Sequence, residues 1–279
     1  MPGCSKQCAQ LAGASWEFQK GTGDCGNRSA ANAIAAFAYH GNVNDLAERL
    51  RRVEERIAQA CQRAGRSRNA VQLMAVSKSH PAEAMAEAVA AGLTLFGENR
   101  VQEFEGKRDR LRELGVSFAE VHLIGHLQSN KSGRAAELFA GIDSVDSLRL
   151  AERLNDGAGK LGRRLAVLLE IKLSPEASKA GLEPASAELG ALLERLPDLP
   201  GLALRGLMTI APLDENPETA RTCFRQLRAL REELARRHPH LDFQELSMGM
   251  SGDFEIAIEE GSTLIRIGTA LFGARTAVR

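Results

Sequence analysis

Lys78 closes an apolar, strand-like run, Val71–Ser77, and Pro81 ends the extended pattern three residues later. An amine set at the end of a buried strand is partly desolvated, which lowers its pKa and makes it a nucleophile toward a carbonyl carbon. Far along the chain, two short runs carry a different chemistry. Within "SMGMSGD" (Ser247–Asp253), Ser247 and Ser251 supply hydroxyls, while Gly249 and Gly252 let backbone N–H groups approach a ligand. In "RIGTALFG" (Arg266–Gly273), Gly268-Thr269 stands where a short helix begins, and the free N–H groups and dipole of such an end favour an anion. Together the two runs point to a bound phosphate, with tight turns capped by Ser and Thr as the plainer alternative. Arg266 precedes the second run, and a buried guanidinium needs a phosphate, a carboxylate or a heteroaromatic nitrogen as partner. An internal salt bridge would also satisfy it.

These residues need a scaffold that brings chain segments almost 190 positions apart to one place. From Asn44 onward the pattern is regular: Leu46, Leu50, Val53, Ile57 and Cys61 recur at helical spacing, and Gly65 suits the helix end. Eight strand-like runs then alternate with helix-like ones: "VQLMAVS", "LTLFGE", "EVHLIG", "IDSVDS", "LAVLLEIKL", "LRGLMTI", "FQELSM" and "TLIRIG". Several are apolar on both faces, as buried parallel strands are. The pattern predicts an α/β fold, a single (β/α)8 barrel preceded by one extra helix. An open doubly wound sheet is the main alternative, but no glycine-rich turn follows the first strand.

In such a barrel the site lies at the C-terminal strand ends, and the loops after strands 7 and 8 often hold phosphate. Here those ends carry Ser77-Lys78, Gly97-Glu98-Asn99, Gly125-His126, Met208-Thr209 and the two runs above. A reactive amine, a phosphate loop and a fixed arginine suit a ligand that has an aldehyde, a phosphate and a ring nitrogen. Pyridoxal 5'-phosphate is such a ligand; a sugar phosphate joined to the lysine as a Schiff base fits the lysine and phosphate alone.

Composition narrows the classes further. Lys+Arg and Asp+Glu both number 36, so the balanced charge argues against a nucleic-acid partner. No run is long and apolar enough to span a membrane. Residues 1–42 hold the sole tryptophan (Trp16), the sole tyrosine (Tyr39) and three of five cysteines, without periodicity. They read as an N-terminal extension, disordered apart from a short helix at "SAANAIAAFAY", with 43–279 as the barrel. Its cysteines, Cys4, Cys8 and Cys25, read as unpaired thiols rather than a metal site, for want of a fourth ligand. An odd cysteine count and no secretory pattern point to the cytoplasm.

"AVSKSHPAEAMAEAVAAGLTLFGENRVQE", "HLIGHLQSNK", "GLMTIAP" and "LSMGMSGDFEIAIEEGSTLIRIGTALFGAR" together resemble the pyridoxal phosphate homeostasis proteins, a group similar to the N-terminal barrel of alanine racemase. The resemblance runs from Val43 to Arg275. It implies that Lys78 holds pyridoxal 5'-phosphate as an internal aldimine and that Ser247, Ser251, Gly268 and Thr269 hold its phosphate. It also implies that Arg266 faces the pyridine nitrogen, while Asn99 and Met208 line the ring. The chain departs from the family pattern at Lys172, where asparagine is usual, at Pro175, where glycine is common, and at Gly252, where a polar residue is common.

An arginine does not surrender its proton to the ring nitrogen, so the cofactor would be a poorer electron sink. Racemisation stays possible but requires a second acid or base opposite the lysine, a tyrosine in alanine racemase. Tyr39 lies in the extension, and His80 or His126 would have to substitute. The chain also ends at Arg279, with no β domain of the racemase kind, which favours a monomer. The resulting expectation is a carrier active in B6-vitamer and amino-acid homeostasis, with free amino acids or cofactor-accepting apoenzymes as partners and no catalytic residue. A weak amino-acid racemase is the alternative.

Overall fold

The computed structural model describes residues 43–116, 120–174 and 180–273. The proposed extension 1–42, its helix, Pro175 and the last six residues lie outside these. Eight parallel strands close into a barrel in chain order: β1 (Gln72–Val76), β2 (Leu95–Glu98), β3 (Glu120–Leu123), β4 (Gly141–Val145), β5 (Leu165–Glu170), β6 (Leu202–Met208), β7 (Glu245–Ser247) and β8 (Leu264–Ile267). Each of the eight runs expected from the sequence overlaps one of these strands; β4 begins one residue and β6 two residues before its run. Helix α1 (Val43–Arg63) precedes them. One helix follows each strand: α2 (Ala82–Ala90), α3 (Val101–Glu113), α4 (Ser132–Leu138), α5 (Leu148–Lys160), α6 (Ala187–Arg195), α7 (Pro217–Arg237), α8 (Phe254–Glu259) and α9 (Thr269–Phe272).

Strand alternation separates two cores. Outward positions such as Ala75, Phe96, Leu123, Ile142, Val167, Leu207, Leu246, Ile265 and Ile267 pack under the helices. Inward positions Met74, Leu168, Met208 and Leu264, with Leu95 and Ile124 against them, fill the barrel itself. The interior is therefore a packed plug, and a ligand can enter only above it. In register, Met74 stands opposite Arg266, and Met208 lies between Glu170 and Ser247. That register sets the polar residues Arg266, Glu170 and Ser247 beside plug residues on the neighbouring strands.

Helix starts are fixed locally. Ser147 and Ser186 accept from Leu150 N and Leu189 N at the heads of α5 and α6, and Asn216 accepts from Glu218 N before Pro217 at α7. At β6, Gly206 meets a register shift against β5, and a Cβ there would run into the Glu245 carbonyl oxygen. Helix α1 lies against α8, where Arg56 and Arg63 pair with Glu255 and Glu259, and Arg56 sits 4.5 Å over the Phe254 ring. Among the described residues, no helix is long and apolar enough to cross a membrane.

Candidate functional site

Lys78 stands two residues past the end of β1 and is half-buried at the C-terminal mouth. Continuing the alternation from inward Met74 puts Lys78 on the interior side and Ser77 on the other, before the chain turns at Ser79. Both neighbours are anchored. The buried Ser77 hydroxyl donates to Glu98 Oε1 at 2.7 Å, and Lys107 Nζ on α3 donates to the Ser77 carbonyl at 3.0 Å. Lys107 also reaches Glu98 Oε1 at 2.8 Å and Glu103 Oε1 at 2.9 Å, and Glu103 accepts from the Ser79 amide. Ser79 has φ +63°, the only non-glycine residue with positive φ among those described. Burial pushes the Glu98 carboxyl up, against Lys107 and the Ser77 hydroxyl.

Arg266 on β8 forms the inner end of the site and is buried. Its Nη1 donates to Ser247 Oγ at 2.7 Å and its Nη2 to the Thr209 carbonyl at 2.8 Å. Burial pulls the guanidinium down, opposed by the charges of Asp143, Asp253 and Glu170. Met208, fully buried beside Ser247, belongs to the plug beneath. Ser247 is therefore engaged with the arginine one level below the loops.

Above it, the loops after β7 and β8 come together, with Ala270 N donating to Ser251 Oγ at 3.3 Å. The backbone N–H groups of Ser251, Gly252 and Thr269 have no partner among the described residues. Gly268 stands at the entry to α9 and Thr269 is exposed. Asp253 Oδ1 pins the loop by accepting from Met250 N at 2.6 Å. The two glycines have different surroundings within the protein. Gly249 has φ +98°, and a Cβ there would meet the Ala257 methyl at 2.6 Å, so packing against α8 requires it. At Gly252 a Cβ would meet no protein atom within 4 Å.

The far wall comes from the ends of β2 to β5. Asn99 is half-buried after β2, and its backbone lies so close to Gly125 that a Cβ on Gly125 would collide with the Asn99 carbonyl. His126 is largely exposed and pairs through Nδ1 with Asp146 at 3.0 Å. His80 stacks on Phe272 with ring centroids 5.0 Å apart.

Two features escape a reading of the sequence. Glu170 ends β5 facing inward, 8% exposed, and burial together with Asp146 pushes it up to about 7, opposed by Arg266 and His126. Its signal is the one used for Lys78, a charge closing an apolar strand. The other is the ion network of Glu98, Glu103 and Lys107, hinted at only by the i,i+4 spacing of the last two. Among the described residues no cluster suits a metal ion.

The fold and residues can be set beside known proteins. The family model "Alanine racemase, N-terminal domain" matches residues 49–276. A protein of Aquifex aeolicus named pyridoxal phosphate homeostasis protein is 46% identical over 228 residues, covering 82% of this chain and 97% of that one. One of the same name from Escherichia coli is 46% identical over 233 residues, covering 84% and 98%. The solved structure of PipY from Synechococcus elongatus with PLP bound is 45% identical, with a TM-score of 0.73, covering 82% of this chain and all of that one. Alanine racemase of Clostridium difficile, 16% identical with a TM-score of 0.64 and 58% covered, shares the fold. The curated relatives carry the name of homeostasis proteins, not of enzymes.

Proposed function

The chain belongs to the alanine racemase N-terminal domain family and, within it, to the pyridoxal phosphate homeostasis proteins; on that premise we propose that it binds pyridoxal 5'-phosphate covalently through Lys78 and hands it on to amines. One observation carries this reading. The lysine, the arginine and the unpartnered N–H groups all sit at the ends of β7, β8 and β1, three strands adjacent in the closed barrel.

The donor set fits the cofactor. Ser251, Gly252 and Thr269 offer N–H groups, and Ser251 and Thr269 hydroxyls, to a phosphate entering between the two loops. Gly268 allows the α9 entry to approach it. Arg266, held by Ser247 and the Thr209 carbonyl, aims a cation at the position of the ring nitrogen and keeps its own proton. Met208 gives the ring an apolar floor and Asn99 a polar rim. The cofactor, when bound, supplies an aldehyde that condenses reversibly with primary amines. No residue is assigned a catalytic role: His126 is exposed and paired with Asp146, and His80 is packed on Phe272. Free amino acids and cofactor-accepting apoenzymes are the proposed recipients, and B6-vitamer and amino-acid homeostasis inside the cell is the proposed role.

The test is to load the protein, remove free cofactor, and add L-alanine or an apoenzyme. The carrier reading expects the cofactor to leave with the amine while the alanine keeps its chirality. Steady racemisation would make the protein an enzyme instead, and failure to load would end the reading.

A further inference from the structure

Lys107 has a role that its distance from the cofactor site along the chain hides. A buried ion pair is a poor way to stabilise a fold, because desolvation offsets most of the attraction. Yet the Lys107 side chain is only 11% exposed and that of Glu98 is fully buried. The bonds that Lys107 makes converge on a short stretch of chain. It donates to the Ser77 carbonyl and to Glu98 Oε1, which also accepts from the Ser77 hydroxyl. It donates as well to Glu103 Oε1, which accepts from the Ser79 amide. The residues before and after Lys78 are thus tied to one ammonium, on the side of β1 away from the mouth. Ser79 is held at φ +63°, a conformation that a serine rarely adopts unless its surroundings impose it.

We propose that Lys107 is the positioning residue for Lys78: by clamping Ser77 and Ser79 from behind, it holds the Lys78 side chain aimed into the mouth. The inference rests on the reading that Lys78 carries the cofactor. Without the clamp, the backbone at Ser79 relaxes toward negative φ and the lysine swings away from the phosphate loops.

Three variants test it: Lys107→Met, Glu103→Gln, and the double variant Lys107→Met/Glu98→Leu. The double variant removes both buried charges, so that stability recovers while the clamp stays absent. Two measurements use cofactor-free protein: hydrogen exchange at the Ser79 amide, and the rate at which acetic anhydride acetylates Lys78, read by peptide mapping. The third is the dissociation rate of bound pyridoxal phosphate. Loss of one charge-assisted hydrogen bond corresponds to roughly tenfold or more in each rate. We expect Ser79 exchange and cofactor release to rise by that much in the double variant, and Ser79 exchange in Glu103→Gln, with a denaturation midpoint near that of the parent protein. Wild-type rates at Ser79 and for cofactor release in a folded double variant would overturn the proposal. Should the double variant not fold, Glu103→Gln decides by the same criterion. If the parent protein takes up no cofactor, the binding reading fails, while the proposal is still decided by Ser79 exchange and by Lys78 acetylation, expected to change by about tenfold in the double variant, with a parent-like acetylation rate overturning it.

Discussion

His122 offers a quantitative check on the electrostatics beneath the site. It faces the barrel interior on β3, with Nδ1 2.9 Å from Asp143 Oδ1 and Nε2 3.1 Å from Glu120 Oε1. Gly141 makes room for it, since a Cβ there would come within 2.7 Å of the ring. Burial opposes the charged form, but Asp143 and Glu120 outweigh it and push the imidazole up to about 10. Its unfolded value is 6.5. Below pH 6.5 both states hold the proton and the full stabilisation is present. Between 6.5 and about 10 only the folded state holds it, so stability falls as pH rises, by about 1.4 kcal/mol per unit. From pH 7 to pH 9 that amounts to about 3 kcal/mol from this one group. The comparison is His122→Gln/Asp143→Asn, because changing the histidine alone would strand Asp143, 1% exposed, as a buried charge without its partner. Urea unfolding of both proteins from pH 6 to pH 9 measures the difference. The advantage of the parent protein is expected to be greatest at pH 6 and to shrink at that slope. Parallel pH profiles, or an NMR titration placing His122 near its unfolded value, would refute the reasoning.

Other outcomes follow from the same geometry. Arg266→Met strands the Ser247 hydroxyl and the Thr209 carbonyl and leaves Asp143 and Glu170 unbalanced; the expected loss is about 3–5 kcal/mol in urea unfolding, with less than about 1 contradicting its role as hub. Glu170→Gln removes an ionisation that burial disfavours: with the folded carboxyl raised from 4.5 to about 7, the variant should gain about 3 kcal/mol above pH 7 and nothing below pH 4.5, measured the same way. Gly206→Ala forces a methyl into the Glu245 carbonyl and should cost about 1–3 kcal/mol, read as a lowered thermal midpoint.

The barrel is legible in the sequence because parallel strands buried on both faces stand out as short apolar runs, and their order needs no guess once a closed barrel is assumed. The mouth is legible wherever a polar residue ends such a run, as at Lys78 and Asn99. What a residue does there is less so. Alternation puts Ser247 and Arg266 on inward faces, but only the register of β7 with β8 shows that the serine hydroxyl serves the arginine. Gly249 shows the converse: the methyl of Ala257, eight residues on, already demands a glycine there, which no local pattern in the sequence reveals. Lys107 is hardest to read, since on a helical wheel it is one more charge, and its meaning depends on β1, β2 and α3 meeting behind Lys78.

The most direct test of the account is to load the protein and Lys78→Ala with pyridoxal phosphate, reduce both with borohydride, digest, and map the modified peptide by mass spectrometry. The cofactor's mass is expected on Lys78 in the parent protein, with a yellow absorption band before reduction that is lost in Lys78→Ala. A parent protein that loads but carries the label on another lysine, with Lys78 unmodified, would contradict it.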